Sequence, residues 1–460
     1  MTSLTPAVTR SRVTRSPEQR RGVRRAGTVL FLATFLVFLA TASRDYLCLD
    51  VWSSNLASYQ LATTGTPNLD GVEVPQLDGS ALRWVYVDDH APNGHVVITR
   101  SPAVVLAGLP AYLITQPDTM TVVPAAVTAA LLGALSVLLM YLALAALLSR
   151  WQALAAAAAF GFTTPVWSTA ANGIWPQTIS VLGIALIAWS AAHQKWWTMG
   201  LGGVLLLWAR PHAALIVAIL GLTLAWRERR PGIALRAGIP GLVSLVLLSL
   251  WTHWVYGTWN PTALYGAGAF SEVNKSLFDI ENQLGTWISP DRGLLVFTPV
   301  LLVLLPALVR SWRSLPAWST TLLIAGLVYT LLQGALIGFT GGDPIYGYRY
   351  GLEFLACATP AFALAAPHAG PVARRLLTPV LAVQFVVIAL GAIVERVALD
   401  YRLAWTHNAF VDAMIAGSPA LRMSAVLLAL LLVFVVRLVR TSTVGSQSSD
   451  EPAVQPAAVS

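Results

Sequence analysis

Long apolar segments separated by short polar stretches recur along most of the chain. Each segment is a continuous apolar run rather than an alternation of apolar and polar residues. A transmembrane helix needs about 20 mostly apolar residues, whereas a transmembrane strand alternates. The pattern therefore predicts membrane helices and excludes an outer-membrane barrel. Besides a short apolar helix at 102–115, the predicted spans are 27–43, 120–149, 152–166, 175–192, 197–208, 211–226, 234–255, 293–309, 317–338, 350–367, 376–394 and 419–438.

The stretch 197–226 has two interpretations. As one span it would place the basic run RERRP outside the cell, whereas two short helices broken at Arg210 and Pro211 would place it inside. Cytoplasmic loops are enriched in Lys and Arg, and proline interrupts helices. We therefore predict a break at this point. The predicted fold class is an all-α polytopic transmembrane protein with about twelve membrane segments and both termini in the cytoplasm.

One membrane domain with two polar tails is the predicted organisation. Residues 1–26 contain seven arginines and are predicted to be a disordered cytoplasmic tail. Residues 27–439 form the membrane domain, and the Ser/Pro/Ala-rich residues 440–460 form a second disordered cytoplasmic tail. Ala40–Ala42 also resembles a signal-peptidase site, but the charged region before it is long for a signal peptide, which favours a retained helix. The predicted outer loops are 44–118, 256–292, 339–349 and 395–418.

Composition and charge agree with this organisation. Only 11% of the 460 residues are charged and the mean hydropathy is +0.67, against about 25% charged residues in soluble proteins. This composition excludes a soluble enzyme and a disordered chain. A disulfide scaffold is excluded as well, since the only cysteines are Cys48 and Cys357. The predicted cytoplasmic side holds 19 of the 29 Lys and Arg but 4 of the 21 acids, a balance of +15 against −7 outside. The basic net charge therefore reflects topology and does not indicate a nucleic-acid partner.

The first outer loop begins with a predicted helix that carries a candidate catalytic acid. Asp50 lies near the start of this helix, just after the first span. Its charge could simply favour the helix dipole. Alternatively, it could be a general base within reach of a lipid-linked substrate. The helix is predicted to be amphipathic and to lie on the outer membrane face, because apolar residues recur at helical spacing before a terminating glycine: Leu49, Trp52, Leu56, Tyr59 and Gly65.

Later in this loop, four residues could ligate a metal. They are Asp88, Asp89, His90 and His95. Their spacing matches no established metal motif, and a turn rich in Asp, Pro, Asn and Gly is the simpler explanation. A divalent cation is therefore left open, and no metal site is assigned.

The second outer loop contains aromatic residues near a predicted span. Trp259 and Tyr265 flank the stretch around Asn260. Aromatic residues at a membrane interface often form only an anchoring belt. Together with Asn and Arg they could also form a platform for a sugar, and both interpretations stay open.

Several charged residues lie at or near predicted membrane depth. Arg210 lies at the predicted helix break, Arg292 at the mouth of a span, and Asp343, Arg349 and Glu353 in or beside the third outer loop. Ionisable groups at such depth are costly and indicate function. Arg349 and Glu353 are four positions apart, so they could alternatively pair along a helix.

Several of these segments, spread over about residues 45–360, together resemble a known class. They resemble the polytopic GT-C glycosyltransferases that use polyprenyl-phosphate sugars, particularly bacterial relatives of protein mannosyltransferases. The chain departs from that class at Val51, where many relatives have Glu, and at Gln177, where relatives often have His. The resembling segments, in the order usual for the class, are LDVWSSNLASYQLATTGTPNL, NGHVVITRSPAVVLAGLPAY, TTPVWSTAANGIWPQ, WARPHAAL, YGTWNPTALYG, SPDRGLLVFTPVLL and GGDPIYGYRYGLEF.

The resemblance implies an inverting glycosyltransferase with a GT-C-like fold. It would move a sugar from a polyprenyl-phosphate donor to an envelope glycan, lipid or protein acceptor on the outer face of the cell membrane. Asp50 would be the base, and Arg349 or Arg292 would bind the phosphate. No cofactor is assigned, and a divalent cation stays open. The other residues expected to contact substrate are Arg210, Asp343, Asp89, His95, Tyr265 and Trp259.

Two further function classes remain open. The chain could be a lipid or sugar transporter or flippase, or a non-catalytic subunit of envelope assembly. Transporters usually contain internal repeats and polar groups at the membrane midplane. No clear repeat is visible in the sequence, and the predicted charges lie at the outer face, which favours the enzyme.

Overall fold

The computed structural model describes residues 16–45, 48–72, 86–265, 279–341, 345–394 and 399–447. Within these residues the protein is almost entirely helical, as predicted, and its sheet structure is a two-stranded antiparallel hairpin. The hairpin pairs Val87 with Ile98 and Asp88 with Val97.

The elements are numbered in chain order. The first half contains α1 Pro17–Thr41, α2 Leu49–Thr64, β1 Val87–Asp88, β2 Val97–Ile98, α3 Pro102–Thr115, α4 Val123–Ala145, α5 Arg150–Phe162, a π-helical turn Val166–Ala170, α6 Pro176–Ala192 and α7 Trp196–Ala209. After a 3-10 turn at Pro211–Ala213, the chain continues with α8 Ala214–Arg227, α9 Gly232–Tyr256 and a 3-10 turn at Ala263–Tyr265.

The second half is also helical. It contains α10 Ile280–Ile288, α11 Leu294–Phe297, α12 Val300–Ser311, α13 Ala317–Leu336, α14 Leu352–Ala365, α15 Pro371–Ile393, α16 Ala409–Ala416 and α17 Pro419–Gln447. Short 3-10 turns lie at Trp312–Ser314, Ala366–His368 and Tyr401–Leu403.

Five helices within the described residues are long and apolar enough to cross a membrane. They are α1, α4, α9, α13 and α15. Large apolar side chains on their outer surfaces are exposed, for example Val29 on α1 and Leu242 on α9, 67% and 68% exposed. A soluble protein would bury such a surface, so these faces fit contact with lipid. The remaining apolar helices are shorter.

The helix boundaries follow proline and glycine as the sequence indicates. The predicted break at Arg210–Pro211 is confirmed, because α7 ends at Ala209 and α8 begins only after the 3-10 turn. The predicted segment 293–309 is also interrupted, at Pro299 between α11 and α12. Two helices extend beyond their predicted limits, since α1 begins at Pro17 inside the predicted tail and α17 continues to Gln447.

Small residues let the central helices approach closely. A Cβ atom added to Gly183 on α6 would lie 2.9 Å from the carbonyl oxygen of Gly202 on α7. Such small-residue contacts are typical of helix packing in membranes. Helix α4 packs against α1, α5 and α6, and the largest buried cluster surrounds this region and α14.

Helix α2 corrects one prediction. It ends at Gly65, which has a φ of 78°, as the sequence indicated. It does not lie exposed on a membrane face, however, because most of its residues from Asp50 to Gln60 are buried in protein. The helix packs along α3, and the Ser58 hydroxyl donates to the Val105 carbonyl at 2.9 Å. The polar residues that the sequence pattern assigned to an exposed face therefore make contacts inside the protein.

Candidate functional site

Asp50 lies in the first turn of α2 and is buried, with 7% of its surface exposed. Its backbone carbonyl accepts hydrogen bonds from the hydroxyls of Ser53 and Ser54, at 3.1 and 2.8 Å. These bonds hold the first turn rigid. The carboxylate contacts three other side chains, which lie far from Asp50 in the sequence.

Two of these partners come from the far end of the same loop. Tyr86 donates its hydroxyl proton to Asp50 Oδ1, and Arg100 Nη2 donates to the same oxygen. Arg100 also donates from Nε to Ser53 Oγ at 2.6 Å, and its guanidinium lies 3.7 Å from the centre of the Tyr86 ring. The hydroxyl of Tyr256 donates to the carbonyl of Arg100 at 3.2 Å, so the end of α9 fixes this segment.

The third partner is Arg349, just before α14. Its Nη1 donates to Asp50 Oδ2, and its Nη2 donates to the Gly341 carbonyl at 2.7 Å and to the Tyr350 hydroxyl at 3.1 Å. The guanidinium lies 5.2 Å from the ring centre of Trp175 and 4.9 Å from that of Tyr350. The structure thus joins the predicted base to one predicted phosphate ligand. We call Asp50, Tyr86, Arg100 and Arg349 the Asp50 site.

Charge controls protonation at the Asp50 site. Burial alone would raise the pKa of Asp50, but the positive charges of Arg349 and Arg100 outweigh it and hold that pKa well below its usual range. Burial raises the pKa of Tyr86, and so does the neighbouring carboxylate, which keeps the phenol protonated. The Asp50 charge, in turn, raises the pKa of Arg100 above its usual value despite burial. At neutral pH the site contains one carboxylate and two guanidinium groups.

Three buried groups, at Arg349 and at the start of α6, have no hydrogen-bond partner among the described residues. They are the Nε of Arg349, the indole Nε1 of Trp175, and both amide atoms of Gln177, which follows in the first turn of α6. Buried donors are almost always paired in proteins. Unpaired donors next to a guanidinium therefore favour an acceptor-rich ligand at this point.

A second polar cluster adjoins the site through Tyr350. The guanidinium of Arg210 lies 5.1 Å from the centre of the Tyr350 ring, which Arg349 also contacts. Arg210 Nη1 donates to Gln333 Oε1 at 3.0 Å, and its Nε lies 3.9 Å from Glu353 Oε1. We call Arg210, His212, Gln333 and Glu353 the Arg210 cluster, since His212 Nε2 also lies 2.6 Å from Gln333 Oε1.

The predicted pairing of Arg349 with Glu353 is not the arrangement in the structure. Arg349 precedes α14, which starts at Leu352, so the four-residue spacing does not place the two side chains on one helical face. Arg349 instead contacts Asp50, and Glu353 faces Arg210.

Arg292, the alternative phosphate ligand, is bound up in backbone contacts. Its Nη1 donates to the carbonyls of Ile345 and Gly347, its Nη2 donates to the Leu399 carbonyl, and its Nε lies 3.2 Å from Asp291 Oδ2. Only 1% of its surface is exposed. Its geometry ties three loop segments together and favours a structural role, not substrate binding.

The other predicted residues of the first loop lie outside the Asp50 site. Asp89 and His90 form an exposed pair at 2.6 Å, and with Asp88 they are the residues whose ligand atoms could converge on a metal ion in the described part of the chain. His95 is not in this group, because its Nδ1 contacts Asp70. Asp70 also accepts the Val96 amide proton at 2.9 Å, which lowers the pKa of its carboxyl group. These contacts close the loop and fit a turn.

Of the aromatic and acidic residues predicted in the later loops, Trp259 is not among the contacts of the Asp50 site. Trp259 is 58% exposed and stacks on His253 with ring centres 4.1 Å apart. Tyr265 ends the 3-10 turn Ala263–Tyr265. Asp343 lies outside the described residues.

Four residues that the structure places around Asp50 and Arg349 were not predicted from the sequence. Each had a signal in the sequence, since Arg100 directly precedes a helix start, Trp175 precedes a proline, and both tyrosines flank charged loop segments. None of these signals is specific without the long-range contacts. The four residues are Tyr86, Arg100, Trp175 and Tyr350.

The arrangement combines an ionised carboxylate, fixed cations and unpaired donors in one buried location. Such a set can bind an anion and can accept a proton from a hydroxyl once the carboxylate is released from its cations. Comparison of the chain with protein-family models and with curated proteins finds no match.

Proposed function

We propose that the protein is a membrane glycosyltransferase that uses a polyprenyl-phosphate sugar as donor and acts on the outer face of the membrane. The main support is the contact between Asp50 and Arg349, which are 299 positions apart in the chain. The sequence assigned these residues separately as base and phosphate ligand. Their convergence in a buried site is what the proposed chemistry requires.

The phosphate of the donor would bind beside Arg349. Phosphate oxygens accept hydrogen bonds from the guanidinium fork in charge-assisted pairs. The unpaired Nε of Arg349 and indole Nε1 of Trp175 lie close to that position and would each gain an acceptor. The second guanidinium, that of Arg210, lies on the same Tyr350 ring and adds positive charge.

Donor binding would also prepare the base. In the free protein Asp50 is held ionised by Arg349 and Arg100, and such a carboxylate is a weak base. When the phosphate binds Arg349, Asp50 loses part of the positive charge that compensates it, and the pKa of Asp50 rises. The carboxylate then accepts the proton of the acceptor hydroxyl more readily.

The reaction is a single displacement at the anomeric carbon. The acceptor oxygen forms a bond to that carbon while its proton passes to Asp50. The bond from the anomeric carbon to the phosphate oxygen breaks, and the lipid phosphate leaves with the electron pair. Arg349 stabilises the charge that grows on the leaving group. Because attack and departure occur on opposite faces, the sugar configuration inverts.

The membrane organisation is part of the proposal. The charge balance of the loops favours an orientation with both termini in the cytoplasm and the Asp50 site outside. Exposed apolar faces such as that of α9 would lie against lipid. A polyprenyl chain could then remain in the bilayer while its phosphate reaches the outer site.

A transporter or flippase is the second candidate, and the Arg210 cluster favours it. Ionisable residues at the break between two short helices are common in transporter binding sites. Arg210 and Glu353 are both buried at such a break, between α7 and α8 and beside α14. This cluster, unlike the Asp50 site, would be the centre of a transport function.

Transfer from a synthetic short-chain polyprenyl-phosphate sugar by the purified protein in detergent tests the proposal. A panel of donor sugars and envelope acceptor preparations is needed, because the geometry does not specify either. We expect product with inverted configuration from the wild-type protein and a loss of at least about a hundredfold with Asp50→Asn, as general-base contributions are 10²–10⁴-fold.

A control variant and a second assay separate the two candidate functions. Asp89→Asn changes an exposed acid of the same loop and should leave transfer unchanged. A transporter would give no product but would move a fluorescent lipid-linked sugar across vesicle membranes. Transport that survives Asp50→Asn and disappears with Glu353→Gln would replace our proposal with the second candidate.

A further inference from the structure

A cleft at the other end of the molecule combines arginines with an apolar floor. It has a volume of about 730 Å³ and lies between the first half of α1 and the start of α5. Both elements lie on the predicted cytoplasmic side, whereas the Asp50 site follows the opposite end of α1. The cleft plays no part in the proposed transfer reaction.

Three arginines surround one end of this cleft. Arg21 and Arg25 are one helical turn apart on α1, and Arg150 begins α5 opposite them. The guanidinium of Arg150 reaches across to α1, where a Cβ atom at Gly22 would lie 2.8 Å from its Nη1. It also lies 4.7 Å from the ring centre of Trp151. Glu18 is the acidic residue in the lining, so the formal balance of these four groups is positive.

The other end of the cleft is apolar. Arg21, Arg25, Val29 and Ala33 follow each other at four-residue spacing along α1, so one stripe of the helix changes from basic to apolar. Leu154 of α5 lines the opposite wall. Val29 is 67% exposed. The cleft therefore opens toward the predicted bilayer and points its charged end at the predicted interface.

We propose that this cleft binds one anionic glycerophospholipid of the inner leaflet. The three guanidinium groups would hold the phosphate, and an acyl chain would lie along Val29, Ala33 and Leu154. Basic pockets between transmembrane helices on the cytoplasmic side suit such head groups. Topology alone requires only positive charge near the membrane, whereas this site adds a shaped cavity that continues into apolar surface. The proposal does not depend on the glycosyltransferase function.

The chain's own tails are the competing occupants. Residues 1–15 contain three arginines and no acid, so their charge repels the cleft. Residues 448–460 contain Asp450 and Glu451, which could pair with the arginines if both tails are cytoplasmic. The lipid is favoured because only it also matches the apolar half of the cleft.

Titration of the purified full-length protein with dioleoylphosphatidylglycerol, followed by native mass spectrometry, tests the proposal. The triple variant Arg21→Ala/Arg25→Ala/Arg150→Ala should weaken binding by about tenfold or more. The control triple variant Arg24→Ala/Arg236→Ala/Arg375→Ala removes the same charge from exposed residues outside the cleft. It should weaken binding by no more than about twofold. Dioleoylphosphatidylcholine, which has no net charge, should bind weakly to all three proteins.

Further experiments separate the contribution of the head group to lipid affinity from that of the acyl chains. Glycerophosphoglycerol carries the phosphodiester charge of the head group without acyl chains and should not displace the lipid. Ala33→Phe keeps every arginine but fills the apolar half, and it should weaken lipid binding even if the triple variant is recovered poorly. Equal affinity of the two triple variants would overturn the proposal. It would also be overturned if Asp450→Asn/Glu451→Gln created binding that the wild-type chain lacks, because the acidic tail would then be the occupant.

Discussion

Two buried Asp–Arg pairs in the predicted outer loops differ in what surrounds them. Asp50 contacts Arg349 and Arg100 through side chains, and donors beside it remain unpaired. Asp291 contacts Arg292, whose remaining contacts are backbone carbonyls, and its Oδ1 accepts the Ala409 amide proton at 2.8 Å. The first pair has capacity for a ligand, whereas the second holds loops together.

The same contrast appears in protonation. At Asp50 the two cations outweigh burial and the pKa of the carboxyl group is lowered. At Asp291 burial outweighs the neighbouring positive charge, chiefly that of Arg292, so the pKa of Asp291 is raised, and burial lowers the pKa of Arg292 to about 10. An excess of cations around one carboxylate indicates an anion-binding site. A guanidinium whose Nη atoms donate to the carbonyls of loop segments indicates structure.

The largest expected difference is between Asp50→Asn and Asp291→Asn. Asp50→Asn removes a carboxylate that two arginines stabilise, so it should unfold at lower temperature, whereas Asp291→Asn removes a carboxylate whose raised pKa shows that burial outweighs its cation, so its unfolding temperature should change less. Only Asp50→Asn should lose turnover per folded molecule, by about 10²–10⁴-fold. Its donor affinity should be intact or higher, because the phosphate no longer competes with Asp50 for Arg349. Transfer kinetics and donor binding in detergent measure these effects.

Asp291→Asn serves as the matched control for this prediction. Breaking a buried ion pair costs about 3–5 kcal/mol, so the folded fraction must be determined by size-exclusion chromatography before rates are compared. Equal loss of turnover per folded molecule in both variants would remove the distinction between the two pairs.

Arginine substitutions should give the next largest contrast. Arg349→Ala removes a charged donor from the phosphate in both ground and transition states, so donor affinity and turnover should both fall, each by about 10–100-fold. Arg349→Lys should restore only part of this loss, because an ammonium group lacks the bidentate fork. Arg292→Lys should lower the unfolding temperature while turnover per folded molecule stays normal. Normal donor affinity in Arg349→Ala would place the phosphate elsewhere.

Much of the helical framework could be predicted from one sequence, since it depends on local signals. Pro211 and Gly65 end helices for reasons of backbone geometry that no distant residue changes. The burial of α2 could not be predicted in the same way. Ser53, Ser54 and Ser58 are polar, and only their contacts within the protein make an interior position acceptable.

Two members of the candidate site, Asp50 and Arg349, were predictable from the sequence, but their pairing and the other two members were not. Ionisable residues near membrane depth indicated Asp50, Arg349 and Arg292 as candidates. Which arginine reaches Asp50 depends on packing between segments far apart in the chain, and local spacing instead suggested Glu353 for Arg349. Arg100 was missed because its role arises from the return of the first loop to α2.

Arg210 should have a smaller effect than Arg349, because it contacts Tyr350 rather than Asp50. Arg210→Leu should insert well, since a central arginine costs about 2.5–3.5 kcal/mol on insertion scales. We expect donor affinity to fall by several-fold and turnover to change less. Binding of the synthetic donor to purified protein measures the difference. Unchanged affinity would mean that Arg210 serves only to compensate Glu353 within the Arg210 cluster.

Acid stability should give the smallest effect and separates the two aspartates by sign. The pKa of Asp50 is lower in the folded protein than in the unfolded chain, so its stabilisation is complete above about pH 4, the usual range for Asp, and disappears as the pH falls further. Asp291 has a raised pKa, so it contributes no such loss on acidification. The difference in unfolding temperature between wild type and Asp50→Asn should therefore be constant from about pH 5 to 8 and shrink below about pH 4. The corresponding difference for Asp291→Asn should not shrink in this way. Thermal unfolding in an acid-stable detergent, followed by light scattering and fluorescence, measures both differences in unfolding temperature. If the unfolding temperatures of wild type and Asp50→Asn fell in parallel down to about pH 3, this would contradict the low pKa that the two arginines impose on Asp50.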